Sequence, residues 1–255
     1  MTRSFINDKN LINDKKQSFY NPIKNILTSL KECPKDIAIV YDNKEITWKE
    51  YYNHIVIIAD TLKNDYKIEK GDKIAVLTRN NPEMMYFHFA IPLIGAIIVP
   101  LNYMEHHTNL SYIIENSDSK IIIWDSYFDE KIEMIYNLPN NKIRIDTGSN
   151  NYPDFKVDDY NQIFNSRDKK NKELKWDDLY MEPTINDIIS LNYTSGTTAH
   201  PKGVLLKYHL FNTYDYVTIN DKIKFLPCVP MFHLNCWGQI WNIALLKGIT
   251  YLIDL

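Results

Sequence analysis

The sequence predicts an α/β fold of mainly parallel sheets flanked by helices. Three observations carry that expectation. Short apolar runs such as DIAIVYD (Asp36–Asp42) alternate along the chain with longer segments whose apolar residues recur at helical spacing. The runs are apolar throughout rather than alternating, as strands buried on two faces must be. A strand–helix–strand succession also needs right-handed crossovers, which join parallel neighbours.

The elements follow in order. After a polar leader, YNPIKNILTSLKE reads as a first helix, which closes a leader region at about residue 35. DIAIVYD is a strand, and NKEIT a turn into a second, short one. Thr47 with Glu50 three residues on makes a capping box, opening a helix through WKEYYNHIVIIADTLK. GDKIAVLT is the next buried strand. Asn81 as cap and Pro82 at the first helical position start a helix in NNPEMMYFHFAIPLIG. AIIVPLN is a strand, NLSYIIENSD a short helix and KIIIWD another strand. From about Asn140 to Glu182 the chain turns polar and asparagine-rich, which reads as a surface insertion. Then come a strand (DIISLNY), a hydroxyl-rich loop, a helix over Leu205–Val217, a strand (KIKFLPCV), a loop and helix over Met231–Leu246, and a last strand, GITYLIDL. Ending just after that strand, the chain reads as interrupted. An unpaired edge near Gly248–Leu255 is expected to favour aggregation.

Composition excludes more than it selects. A formal net charge of −3 gives no electrostatic footprint for nucleic acid. The run FAIPLIGAIIVPL is too short to cross a bilayer and holds two prolines, so no transmembrane segment is expected. Cys33, Cys228 and Cys236 form no CxxC pair and no even framework. With a polar N-terminus lacking a secretory apolar core, they suit a reducing, cytoplasmic setting.

The stretch LNYTSGTTAHPKGVL (Leu191–Leu205) concentrates the chemistry. Two of the chain's 7 glycines and four serine and threonine hydroxyls fall inside it. Thr194, Ser195, Thr197 and Thr198 offer donors, Gly196 and Gly203 let the backbone turn, and Lys202 adds a point charge. A strand before it and a helix after it would make an anion-binding loop. It is not a Walker A loop, because Lys202 precedes Gly203 instead of following the second glycine. A polar surface turn is the plain alternative.

The order of residues goes further. YTSGTTAHPKGV resembles the phosphate loop of the AMP-forming acyl-CoA synthetase, luciferase and adenylation-domain superfamily, Tyr-Thr-Ser-Gly-Thr-Thr-Gly-x-Pro-Lys-Gly-Val. GDKIAVLTRNNPEMMYFHFAIPLIGAIIVPLNYMEHHTNLSYIIENSDSKIIIWD is similar to the block preceding it in that family, and PMFHLNCWG to the Pro-Met-Phe-His motif of carboxylate–CoA ligases. Most of Ile37–Leu255 is covered, apart from the polar segment. Ala199 departs from the pattern where the family has glycine.

The resemblance implies a ligase that joins a carboxylic acid, of fatty type, to ATP as an acyl-adenylate and then to coenzyme A. By it, Thr194, Ser195, Gly196, Thr197, Thr198 and Lys202 hold ATP phosphates, and Thr194 is the candidate ligand for Mg²⁺. His233 is implied as a positioning group between carboxylate and nucleotide, and Trp237 as an aromatic of the acyl pocket. A structural histidine and a core tryptophan stay open as alternatives. Cys228, His233 and Cys236 lack a fourth ligand for zinc, and Glu105, His106 and His107 read as solvated surface. The family's nucleoside pocket, its magnesium-binding glutamate and its lysine-bearing small domain would lie beyond Leu255. Residues 36–255 are therefore expected to be a partial N-terminal AMP-binding domain that does not turn over alone. A non-catalytic remnant serving as a binding or scaffold protein is the competing reading.

Overall fold

A computed structural model describes residues 20–147, 153–168, 174–194, 200–213 and 222–253. The elements are α1 (Asn25–Glu32), β1 (Ile37–Tyr41), β2 (Lys44–Thr47), α2 (Trp48–Asn64), β3 (Lys73–Leu77), α3 (Pro82–Leu93) and β4 (Ile97–Pro100). Then follow α4 (His107–Ser117), β5 (Ser119–Asp125), α5 (Asp129–Glu133), β6 (Asn141–Ile145), β7 (Asp158–Asp159), α6 (Tyr160–Asp168) and α7 (Trp176–Leu179). The last are β8 (Ile188–Thr194), β9 (Lys202–Lys207), β10 (Lys224–Phe225), α8 (Leu234–Trp237), α9 (Gln239–Leu245) and β11 (Ile249–Leu252).

The strands form two sheets, ordered β7-β6-β5-β3-β4-β8-β9 and β10-β11-β1-β2. Pairing in the larger sheet is parallel except between β8 and β9. The α/β expectation therefore holds. Alternation along β3 divides its side chains between two cores. Ile74 and Val76 join α2, α3 and the smaller sheet's Ala38 and Ile39, whereas Ala75 and Leu77 join Leu110 and Ile113 of α4. The layers thus run from α4 through the larger sheet and a helical layer to the smaller sheet.

The local signals worked as physics requires. Thr47 Oγ1 accepts from Glu50 N while the Glu50 carboxylate accepts from Thr47 N, closing the capping box of α2. Asn81 caps α3 by accepting from Met84 N at 2.9 Å, with Pro82 at the first position. Asp42 and Asn43 both take positive φ, the backbone a two-residue hairpin between β1 and β2 needs. Gly95, at φ +75, turns the chain from α3 into β4, where a Cβ would stand 3.1 Å from Lys70 Cγ.

Four expectations are corrected. The polar segment after Asn140 is not merely a surface insertion. Its β6 extends the larger sheet beside β5, α6 packs on α2, and Trp176 stacks on Tyr52 at 6.2 Å. Polar composition hid a core strand because Arg144, within it, is itself buried against Asp129. The helix expected over Leu205–Val217 is instead β9 followed by a 3-10 turn over Tyr208–Thr213; residues 214–217 lie outside the described ones. Antiparallel pairing with β8 overrides helical spacing there. The strand in KIKFLPCV shrinks to Lys224–Phe225, just before Pro227 and Pro230, which have no N–H for a ladder. Finally, β11 is not an edge. It lies between β10 and β1, so the aggregation argument built on an unpaired edge falls away.

Two electrostatic features test the packing. Arg144 and Asp129, with side chains 1% and 3% exposed, pair by Nε and Nη2 at 2.8–3.0 Å, and Trp124 Nε1 also donates to Asp129 at 2.8 Å. Removing Asp129 leaves the buried Arg144 only the partly exposed Asp146 at 3.4 Å. Asp129→Ala is expected to cost about 3–5 kcal/mol in urea unfolding, and the apolar double substitution Asp129→Leu with Arg144→Met to recover much of it. An Asp129→Ala loss under about 1 kcal/mol would refute a structural role for the pair.

Glu83, in the first turn of α3, has its pKa pushed up to about 6, chiefly by desolvation and further by the charge of Asp125. A carboxyl raised in the folded state favours folding below its unfolded value of about 4.3, and that contribution is lost as pH rises through about 6. Glu83→Gln should therefore match the native chain near pH 4 and exceed it by about 1–2 kcal/mol at pH 7. Equal offsets at both pH values in denaturant titrations would refute the shift.

Candidate functional site

The C-terminal ends of β3, β4 and β8 converge on one side of the larger sheet, the position where open α/β sheets bind ligands. A cleft of about 210 Å³ opens there, lined by Asn102, Asn192, Thr194, Phe232, His233 and Leu234, with Val204 and Leu206 of β9 beside them.

Thr194 ends β8 and is exposed, and Lys202 stands directly opposite it as its cross-strand partner. The hydroxyl-rich motif is therefore a hairpin loop, not a strand-to-helix turn. That corrects the expected setting and brings the loop's two ends together. Ser195, Gly196, Thr197, Thr198 and Ala199 lie outside the described residues. Gly203 serves packing rather than turning. It sits within β9, and an added Cβ would stand 3.0 Å from Leu191 Cδ1 and 3.3 Å from Tyr193 Cζ. Both stems lean on α4. Tyr193 donates its hydroxyl to Asn116 Oδ1 at 2.7 Å, and His200 stacks on Tyr112 with centroids 4.6 Å apart.

His233 faces the same cleft from the other side. It occupies the N-cap position of α8, its backbone N–H donating to Pro230 O and its carbonyl accepting from Cys236 and Trp237. Its ring is exposed, unlike that of a core histidine such as His88, which burial drives down to about 4. Trp237 ends α8. It is 3% exposed, T-shaped against Trp241 at 4.5 Å, and absent from the residues lining the cleft. Cys236 is buried and its thiol is pushed up to about 11 by burial, which leaves no thiolate at neutral pH.

Among the described residues no group of three or more His, Cys, Asp or Glu could hold a metal ion. His106 instead caps α4, its ring near Thr108. The donor set at the cleft is neutral oxygen and nitrogen plus the Lys202 charge. Oxygen donors of this kind, the Thr194 hydroxyl among them, are compatible with a hard cation such as magnesium.

Sequence reasoning missed three asparagines. Asn80, 5% exposed at the end of β3, donates to Val229 O at 3.0 Å and Pro227 O at 3.4 Å and accepts from Met231 N at 2.8 Å. One carboxamide thus clamps the segment that leads into His233. Phe232 adds a T-shaped contact with Tyr103 at 5.1 Å. Asn102 and Asn192 line the cleft itself. Their signal in the sequence is weak: Asn80 and Asn102 follow apolar strands and Asn192 stands inside one, but an amide at such a place reads like any surface residue.

With this geometry in place, comparison with known proteins identifies the frame. The sequence profile described as "AMP-binding enzyme" matches residues 27–253. Butyrate–CoA ligase AAE11, peroxisomal, of Arabidopsis thaliana is 28% identical over 246 residues, 87% of this chain and 41% of that protein. Benzoate–CoA ligase, peroxisomal, of the same organism is 29% identical over 244 residues, 87% of this chain and 40% of its own length. The chain therefore spans about two fifths of these curated relatives. Among solved structures, the anthranilate CoA ligase AuaEII superposes with a TM-score of 0.76 at 19% identity, over 92% of this chain and 45% of that one. The N-terminal domain of FACL13 from Mycobacterium tuberculosis does so with a TM-score of 0.72 at 21% identity, over 91% and 57%. By the match to nearly its whole length, the chain belongs to the AMP-binding enzyme family.

Proposed function

We propose that these residues belong to an AMP-forming carboxylate–CoA ligase and supply its phosphate loop and one wall of its acid site. The observation that carries this reading is the meeting of Thr194 and His233 on one cleft, with Lys202 across the hairpin from Thr194. In the proposed reaction a carboxylate oxygen attacks the α-phosphorus of ATP and pyrophosphate leaves. The sulfur of coenzyme A then displaces AMP from the acyl carbon, losing its proton.

The difficulty of the first step is bringing one anion against another. Hydroxyls of Thr194, Ser195, Thr197 and Thr198, the backbone at Gly196 and the Lys202 ammonium would hold the phosphates and spread their charge. A magnesium ion, when bound, adds charge neutralisation on the same oxygens. His233, on a short helix cap held by Asn80's clamp, would orient the carboxylate. The apolar side of the cleft, Val204, Leu206, Phe232 and Leu234, supports an aliphatic acid of fatty type. The relatives named for butyrate and benzoate extend the range to short and aromatic acids. Three free cysteines suit a reducing compartment, the cytoplasm or an organelle such as the peroxisome of those relatives' names. Among the described residues no helix is long and apolar enough to cross a membrane.

The test is carboxylate-dependent pyrophosphate release from ATP across a panel of acids. Lys202→Ala should raise KM for ATP by ~10- to 100-fold, the scale of one hydrogen bond to a charged group. His233→Ala should lower kcat/KM for the acid by about 100-fold while leaving KM for ATP within a factor of about two. Wild-type kinetics in both variants would refute the assignment.

A further inference from the structure

One donor in the cleft has no partner among the described residues. Asn192 lies in β8 between Ser190 and Thr194 at period-two spacing, so the three side chains share one face of the sheet. Asn192 is 8% exposed, and its buried Nδ2 has no hydrogen-bond partner. The other end of the same carboxamide is engaged, with Oδ1 accepting from Ser190 Oγ at 2.5 Å. Ser190 is fully buried, so the anchor is fixed. With its oxygen held by the serine, the amide keeps its unpaired N–H groups just beneath the surface of the cleft that Asn192 lines with Thr194, His233 and Asn102.

Native proteins seldom leave a buried amide nitrogen without a partner, because the lost solvation is not returned. The apolar neighbours Val204, Leu206 and Phe232 cannot take the bond. A ligand acceptor can. We propose that Asn192 is a substrate-binding residue whose Nδ2 donates to an anionic oxygen in the cleft, with Ser190 as the positioning residue that holds the carboxamide donor-outward. This rests on the ligase reading above. Two reactants present such an oxygen, the acid through its carboxylate and the nucleotide through its phosphates. A neutral donor already oriented would bind either with no reorganisation at the moment of reaction.

The test turns on a near-isosteric change. Asn192→Asp keeps an oxygen for Ser190 but replaces the donor by an anionic acceptor. It should raise KM for one reactant by ~100-fold, and Asn192→Ala by ~10-fold, in keeping with loss of a hydrogen bond to a charged group. A rise confined to the acid assigns the donor to the carboxylate, and one confined to ATP assigns it to phosphate. A structural role predicts the reverse pattern, with the melting temperature moved and both KM values kept. Both KM values within two-fold of wild type, or an Asp variant as good as Asn, would overturn the proposal. Failure of the ligase reading is told apart by direct binding to this chain. Pyrophosphate and butyrate are titrated separately while the side-chain NH₂ resonances of Asn192 are followed by NMR. A saturable shift with one anion supports the inference without turnover; no shift with either overturns it.

Discussion

Everything in this protein is hung on β3, a strand buried on both faces and paired on both edges. Four of its five residues, Ile74 to Leu77, feed two cores at once, and β4 and β5 on either side are aligned with it in parallel. From Ile74 to Leu77 such a strand tolerates neither a register slip nor a polar side chain, since a shift of one residue would exchange the cores. Polar residues begin where the strand ends, at Thr78, Arg79 and Asn80. The crevice around them is where the connections diverge, one through α3 to β4 and the other beyond β5 to β6.

The candidate site grows from that edge. The carboxamide of Asn80 reaches from the end of β3 to a segment about 150 residues away and gives it three hydrogen bonds. That segment contains Pro227 and Pro230, so it cannot complete a ladder of its own, and it has to be held from outside. His233 then emerges at the start of α8. Thr194 and Lys202 arrive from the opposite side on a hairpin whose antiparallel register sets them face to face. The two halves lie far apart in sequence and meet only through the fold.

Charge is placed with the same economy. The Asp129–Arg144 pair stands deep beneath β5 and β6, away from the cleft, where Trp124 helps to satisfy it. Arg79 is occupied by Asp125. Lys202 is thus an exposed cation at the cleft edge, beside neutral donors from Asn192 and Thr194. Among the described residues, neutral dipoles with an exposed cation nearby suit a ligand that brings its own negative charge.

The sequence by itself determined the α/β class, the helix starts at Thr47 and Asn81, the strands up to β5, and the family through its loop and Pro-Met-Phe-His motifs. These are local properties: capping geometry, hydrophobic period and residue order are written within a few positions of where they act. Tertiary structure decided the rest. Arg144 made β6 look like surface because a buried charge is legible only with its partner Asp129, 15 residues away. Helical spacing after Leu205 lost to pairing with β8, because strand propensity is realised by a neighbour and not by the segment. Trp237 went to the core and β11 to the middle of a sheet for the same reason. Asn80 and Asn192 could not be told from ordinary surface amides until the fold closed around them, since what sets them apart is the identity of their partners, or the lack of one.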